Sequence, residues 1–215
     1  MNKLWWRLVR LGFRLLYHEM AFTYNLVANV VSLGQWWDWQ RAALHFLPGP
    51  DSGPLLELAF GTGRFHKELI AAGYDVTGLD FSRQMARITR HTLRLERAPL
   101  RIVRGRAQQL PFPTGFFTAV VSTFPTPFII EAATLAEVHR VLRAEGRLVF
   151  VPSGVLTRGG PVKAALEGAY QVTGQRGPWG VDIDARFGEI GFRVEQHRVT
   201  LPRSVVTVIV AEKEK

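Results

Sequence analysis

An apolar run, Leu55-Leu56-Glu57-Leu58-Ala59, passes through Phe60 into Gly61-Thr62-Gly63 and on to a helix-like segment at residues 65–72. This succession of strand, glycine turn and helix start constrains the chain more than any other feature. It is the place where an open α/β sheet binds a nucleotide-like ligand. Glycine suits such a turn because positive φ costs it little and because a side chain would hold the ligand off the backbone. A second run, Val76-Thr77-Gly78-Leu79-Asp80, reads as a strand ending in a carboxylate. Asp80 lies about twenty residues past the turn, the distance at which these sheets set an acid against ribose hydroxyls. The turn alone also fits a strand–helix junction that binds nothing. Turn and acid together point to a ribose-bearing cofactor.

A dinucleotide-binding turn prefers G-x-G-x-x-G, and His66 stands where the third glycine would be. The pattern present is Glu57, Ala59, Gly61, Gly63. It resembles the first motif of class I S-adenosylmethionine-dependent methyltransferases, (Asp/Glu)-x-Gly-x-Gly-x-Gly, with Ala59 replacing the first glycine. Residues 102–112 are similar to the family's G-D-A-x-x-L-P-F segment, whose Asp faces the adenine amino group; Arg106 occupies that position. Arginine donates hydrogen bonds and cannot accept them, so adenine recognition would pass to backbone groups, Ala107 or stacking. Residues 135–150 resemble the family's helix, turn and fifth strand (E-x-x-R-V-L-x-x-G-G-x-L). The likeness covers residues 21–212 and is specific for the superfamily, less so for the acceptor.

What the resemblance implies is an α/β, Rossmann-like fold. Its seven-stranded, mostly parallel sheet would close with an antiparallel C-terminal pair, carry helices on both faces and be preceded by an N-terminal helical lid. Residues 116–122 read as the fourth strand, 162–170 as a helical patch, 181–190 as a helix, and 192–200 with 204–211 as the closing pair. The cofactor implied is S-adenosyl-L-methionine. Glu57, Ala59, Phe60, Gly61, Gly63 and Asp80 would hold it, with Phe81, Arg106 and Ala107 at the adenine and Ser122 and Thr123 near the methionine end.

The chain has 215 residues, a size that suits one substantial core, and its 47% hydrophobic and 21% charged residues are ordinary for a globular protein. Residues 48–54, rich in proline and glycine, divide an N-terminal amphipathic and lid region (1–50) from the cofactor domain (51–215). There is no cysteine, which excludes disulfides and thiolate metal sites and fits a cytoplasmic protein. No His, Asp and Glu set has metal-ligand spacing. The net charge of +9 favours anionic partners. Arg83, Arg87, Arg90, Arg94 and Arg97 recur on one helix face, which a solvated outer surface explains. No aromatic residues interleave with this stripe as a single-strand platform requires, so nucleic acid is not expected as a partner.

Residues 1–18 say more about partners. Lys3, Arg7, Arg10, Arg14 and His18 form one basic stripe, and Trp5, Trp6, Phe13 and several leucines fill the rest. A basic face opposite a Trp/Leu/Phe face suits a helix lying in an anionic membrane surface, at the inner face of the membrane for a cytoplasmic enzyme. A helix packed as a lid over the cofactor explains the pattern equally well. Arginines interrupt any signal-peptide core, and residues 20–37 carry too many polar groups to span a bilayer. Tyr24, Ser32, Gly34 and Trp39 fall in step with the Y-D-x-x-x-x-x-x-S-x-G-x-x-x-x-W segment of the ubiquinone/menaquinone biosynthesis C-methyltransferases, with Asn25 for the Asp. That resemblance implies a lid over the cofactor, Tyr24 at its methionine end, and a small apolar, lipid- or quinone-like acceptor.

Methyl transfer asks for an acceptor held in line with the sulfonium methyl at about 3 Å, and for a base only where the nucleophile carries an acidic proton. His18, Glu19, Tyr24, His139 and Tyr170 are candidates, without a choice among them, while His66 and His91 read as surface positions on helices. Two alternatives stay open. One is transfer to a small soluble metabolite with the N-terminal helix only a lid. The other is a cofactor-binding protein without catalysis, suggested by Ala59 and Arg106.

Overall fold

The computed structural model describes residues 32–157 and 182–214. Tyr24, Tyr170, the basic stripe of residues 1–18 and the patch at 162–170 lie outside them. Seven strands form one sheet: β1 Leu55–Leu58, β2 Val76–Asp80, β3 Ile102–Arg104, β4 Phe117–Thr123, β5 Leu142–Leu156, β6 Phe192–Leu201 and β7 Ser204–Lys213. Their order is β3-β2-β1-β4-β5-β7-β6, with β5–β7 and β6–β7 antiparallel and the other pairs parallel. β1 is flanked by β2 on one side and β4 on the other, so the chain reverses its winding there. Open sheets of this kind bind ligands at that crevice, outside the carboxyl ends of the strands.

The strand sequences explain why both faces are covered. All four residues of β1 are buried, as expected of a central parallel strand with layers above and below. Its side chains alternate between two cores. Leu56 and Leu58 pack with Val120 of β4, Leu135 and Val138 on one face, and Leu55 packs with Ala119, Val121, Phe65 and Leu69 on the other. Among the described residues five α-helices supply the layers: α1 Trp36–Arg41, α2 Arg64–Ala71, α3 Arg83–Leu95, α4 Ala132–Val141 and α5 Ile183–Gly188. Trp36, Trp39, Ala42, Ala43 and Leu47 belong to the same core as β1 and β4, so the segment just before the sheet is built into it. Trp39 donates through Nε1 to Ser204 Oγ at 2.8 Å on β7. Its ring needs Gly154 on β5, because a Cβ there would lie 2.4 Å away.

Two expectations shift in detail. The turn expected between α4 and the fifth strand is an irregularity within β5. Phe117 pairs with Leu142 and Ala119 with Arg147, so residues 143–146 loop out, with Glu145 at φ +61°. On α3 the buried side is Met85, Ala86, Thr89 and Leu93, leaving Arg83, Arg87, Arg90 and Arg94 exposed. Ser82 caps it, its Oγ accepting from Met85 N–H at 3.3 Å. Arg97 falls beyond the last turn with φ +53°.

Candidate functional site

A cavity of about 370 Å³ opens at the carboxyl ends of β1, β2 and β4, within the size range of small-molecule sites. The turn after β1 makes its floor. Ala59 and Gly61 both hold φ +56°, and Gly63 holds φ +77° as the residue before α2. Ala59 thus takes a left-handed backbone that glycine would adopt at less cost, by about 1 kcal/mol. At Gly61 an added Cβ would meet only the Ala59 carbonyl at 4.0 Å, so the space beside this turn is open. Thr89 on α3 holds the turn down, donating through Oγ1 to Gly61 O at 3.0 Å.

Asp80 closes one side. Gly61 N–H donates to its Oδ2 at 2.9 Å and Ser82 N–H to its Oδ1 at 2.7 Å. A carboxylate oxygen has two acceptor sites, so each keeps one for a further donor, the demand that a ribose diol makes. Asp80 is only 7% exposed. Burial pushes its carboxyl up to about 6, with a smaller push from Glu57, against the two backbone N–H groups that favour the ionised form. Phe81 and Arg106 form the next stretch of wall, the Arg106 guanidinium 4.5 Å from the Phe81 ring centre. Ala107 lines the cavity beside them.

The far end is aromatic. Trp36 stacks on Phe124 with ring centres 4.0 Å apart, and the Arg64 guanidinium lies 3.6 Å from the centre of the Trp37 ring. Phe124 also holds a left-handed backbone, φ +50°. Gln40 donates to Thr123 Oγ1 at 2.8 Å, tying α1 to the end of β4. Asp80, Arg64 and Arg106 are the ionisable side chains that line the cavity among the described residues. His139, a candidate base, packs edge-on against Phe192 instead and does not line it. Burial and the Lys213 ammonium hold its imidazole below the usual value.

Of the expected cofactor residues, the structure brings Ala59, Phe60, Gly61, Asp80, Phe81, Arg106, Ala107 and Thr123 to the cavity. Glu57, Gly63 and Ser122 do not line it, and each has a structural reason. Glu57 is 2% exposed and its Oε2 meets His66 Nδ1 at 2.8 Å. Gly63 gives room to Thr89, whose Cγ2 would lie 2.4 Å from an added Cβ. Ser122 donates to Leu58 O at 2.8 Å, satisfying a carbonyl just past the point where the β1–β4 ladder ends at Glu57 and Val121. Tyr24 is outside the described residues. His66 corrects the expectation of a surface position: it is fully buried. Gly78 on β2 makes this possible, since a Cβ there would lie 3.1 Å from the imidazole.

Trp37, Gln40, Arg64, Ser82, Met85 and Thr126 also line the cavity and were not expected there from the sequence. Several were findable. They sit in the turns immediately after β1, β2 and β4, where an open sheet places its ligand contacts. Trp37 and Gln40 lie in and beside the segment whose resemblance implies a lid, but nothing in it marks which side chains reach the cavity, because the approach of α1 to β4 is a tertiary event.

The strand order β3-β2-β1-β4-β5-β7-β6 with its antiparallel closing pair, taken with the left-handed glycine turn after β1 and the buried acid ending β2, is that of the class I methyltransferase fold. A family model described as methyltransferase domain matches residues 56–150. The chain is 34% identical over 164 residues to demethylmenaquinone methyltransferase of Thermus thermophilus, covering 75% of this chain and 72% of that one. It is 37% identical over 135 residues to demethylmenaquinone methyltransferase of Beutenbergia cavernae, covering 62% of this chain and 55% of that one. The solved structure of Haemonchus contortus phosphoethanolamine N-methyltransferase 2, in complex with phosphomonomethylethanolamine and S-adenosylhomocysteine, matches with a TM-score of 0.63 at 15% identity, over 83% of this chain and 53% of that one. At that identity the likeness concerns the fold. The chain belongs to the S-adenosylmethionine-dependent methyltransferases, in the branch of the ubiquinone/menaquinone biosynthesis C-methyltransferases. It spans only 55% of the length of the Beutenbergia relative.

Proposed function

We propose that the protein transfers a methyl group from S-adenosylmethionine to an apolar, quinone-like acceptor. The observation that carries the cofactor half is the Asp80 carboxylate, buried at the switch point with one acceptor site left on each oxygen. Gly61 leaves open space at the turn, and the cavity volume and aromatic wall suit a nucleoside bearing a short chain. Asp80 would take the ribose hydroxyls, Phe81, Arg106 and Ala107 the adenine, and Thr123 the methionine end. S-adenosylmethionine supplies a methyl already activated on a sulfonium, so the protein's task is to orient the acceptor and shield the site from water.

The acceptor half rests on Trp36, Trp37, Phe124 and Phe128, an apolar face suited to a flat ring, and on the names of the two relatives. A carbon nucleophile on a hydroquinone ring needs its hydroxyl proton removed. No His, Tyr or Glu lines the cavity among the described residues, so His18, Glu19, Tyr24 and Tyr170 remain the candidate bases. Residues 1–18 would bring the site to an anionic membrane surface, the phase in which such acceptors dissolve. Among the described residues no helix is long and apolar enough to cross a membrane.

Calorimetric titration with S-adenosylmethionine should show one site per chain, and absence of binding by folded protein would refute the assignment. Co-sedimentation with phosphatidylglycerol vesicles should fall when residues 1–18 are removed. Unchanged binding would leave them as a lid alone.

A further inference from the structure

The chain's net charge is concentrated on one flank. Residues 83–106 contain eight arginines, no lysine and a single acid, Glu96, so they carry a net +7 where the whole chain carries +9. The fold gathers these arginines. Arg83, Arg87, Arg90 and Arg94 are exposed along α3, and Arg104 and Arg106 are exposed on and just beyond β3, the edge strand that packs beside it. Glu96 pairs with Lys67 of α2 instead. Among the described residues, Arg101 with Asp75 is the ion pair that these arginines make. Like charges three and four residues apart on a helix repel, and an external anionic surface relieves that repulsion. Apolar side chains share the flank. Phe81 (53% exposed), Leu95 (72%) and Leu100 (45%) are three of the five large hydrophobics exposed among the described residues. They stand just before α3, at its last residue and just beyond it. A nucleic-acid surface has little use for exposed leucines, whereas arginines interspersed with Leu and Phe suit a lipid interface, with guanidinium on phosphate and apolar tips below. Phe81 and Arg106 also line the cavity, so the flank runs up to its mouth.

We propose that the flank formed by α3 and β3 docks on an anionic phospholipid bilayer, its arginines on lipid phosphates and Leu95 and Leu100 in the headgroup layer, with the cavity mouth at the border of the contact. This surface belongs to the described fold and is separate from residues 1–18. The docking itself depends on neither the cofactor nor the acceptor. Its value to the reaction rests on the acceptor reading above, since it presents the cavity to the phase that holds an apolar ring.

The test is co-sedimentation of the full chain with phosphatidylglycerol and phosphatidylcholine vesicles, with thermal unfolding confirming that each variant is folded. The wild type should partition onto phosphatidylglycerol, and added salt should weaken it. Arg87→Gln/Arg90→Gln/Arg94→Gln should lower the partition coefficient about a hundred-fold, at about five-fold per arginine near an anionic surface. Lysine at the same three positions should keep most of the binding. The chain has no cysteine, so Leu95→Cys can carry a single bimane label. Brominated phosphatidylglycerol should quench it and spare the same label at Gln196→Cys, exposed on β6 at the opposite edge of the sheet. A folded triple-glutamine variant that binds vesicles like the wild type, equal quenching at the two positions, or a chain that binds duplex DNA and ignores the vesicles would overturn the proposal. Docking that behaves as expected while no quinone-like acceptor is methylated would instead overturn the acceptor reading and leave the docking surface standing.

Discussion

Lowering the pH from 7 to 5 should release the cofactor through Asp80. Its carboxyl titrates at about 6 because burial disfavours the charge. About nine in ten of these groups are ionised at pH 7 and about one in ten at pH 5. Each oxygen already accepts one backbone N–H, and only the ionised form keeps an acceptor site on both for the ribose hydroxyls. The association constant for S-adenosylhomocysteine should therefore fall about ten-fold over that range, about 1.4 kcal/mol. Stability without cofactor should move the other way. A carboxylate whose folded-state pKa is raised binds its proton in the native chain before the unfolded one does. Stability then rises as pH falls from about 6 toward the ordinary value of 3.8, by up to about 3 kcal/mol. Titration calorimetry at several pH values checks the first sign and denaturant unfolding of the cofactor-free protein the second, with Asp80→Asn as control for both. The variant should bind more weakly, by about 1–3 kcal/mol, and should lose the pH dependence. A wild-type affinity that is flat between pH 5 and 7, or an equal slope in Asp80→Asn, would show that Asp80 does not hold the cofactor.

Other substitutions separate ligand contacts from framework. Gly61→Ala should lower cofactor affinity about ten-fold or more with a stability loss of about 1 kcal/mol, because the methyl enters open space beside a turn where Ala59 already tolerates the same φ. Gly63→Ala should cost about 2–3 kcal/mol in thermal unfolding, since its Cβ collides with Thr89, and should leave the affinity of the folded fraction nearly intact. Ser122→Ala should likewise spare affinity and cost about 1–3 kcal/mol by orphaning the Leu58 carbonyl. For the buried Glu57–His66 pair, His66→Leu alone should cost about 3–5 kcal/mol and Glu57→Leu/His66→Leu less than the sum of the singles, in a denaturant double-mutant cycle.

Much of this fold was legible because period and punctuation agree along the chain. β2 runs over Val76–Asp80 as the sequence implies, and β1 stops one residue earlier than expected, where Ala59 turns left-handed. The position of the candidate site was legible at the strand ends, where Gly61 and Asp80 do line the cavity. It was not where the same residue types serve packing. Gly63 looks like a ligand glycine and is a spacer for Thr89, a role set by a helix some 26 residues away in sequence. Glu57 and His66 are nine residues apart and polar, yet both are buried because Gly78 on the adjacent strand leaves a place for the imidazole. Nothing local in the sequence marks such a pair. The aromatic wall at Trp36 and Phe124 likewise arises only when α1 meets the end of β4.

Methyl transfer to a quinone-like ring can be observed in a single assay. Its most direct test is incubation of the full chain with methyl-labelled S-adenosylmethionine and a short-tailed demethylmenaquinol in phosphatidylglycerol vesicles, with mass spectrometry of the extracted acceptor. Label should appear on a ring carbon, and Asp80→Ala should lose most of it at limiting cofactor. Cofactor binding with no labelled acceptor, while a known relative labels it under the same conditions, would contradict it.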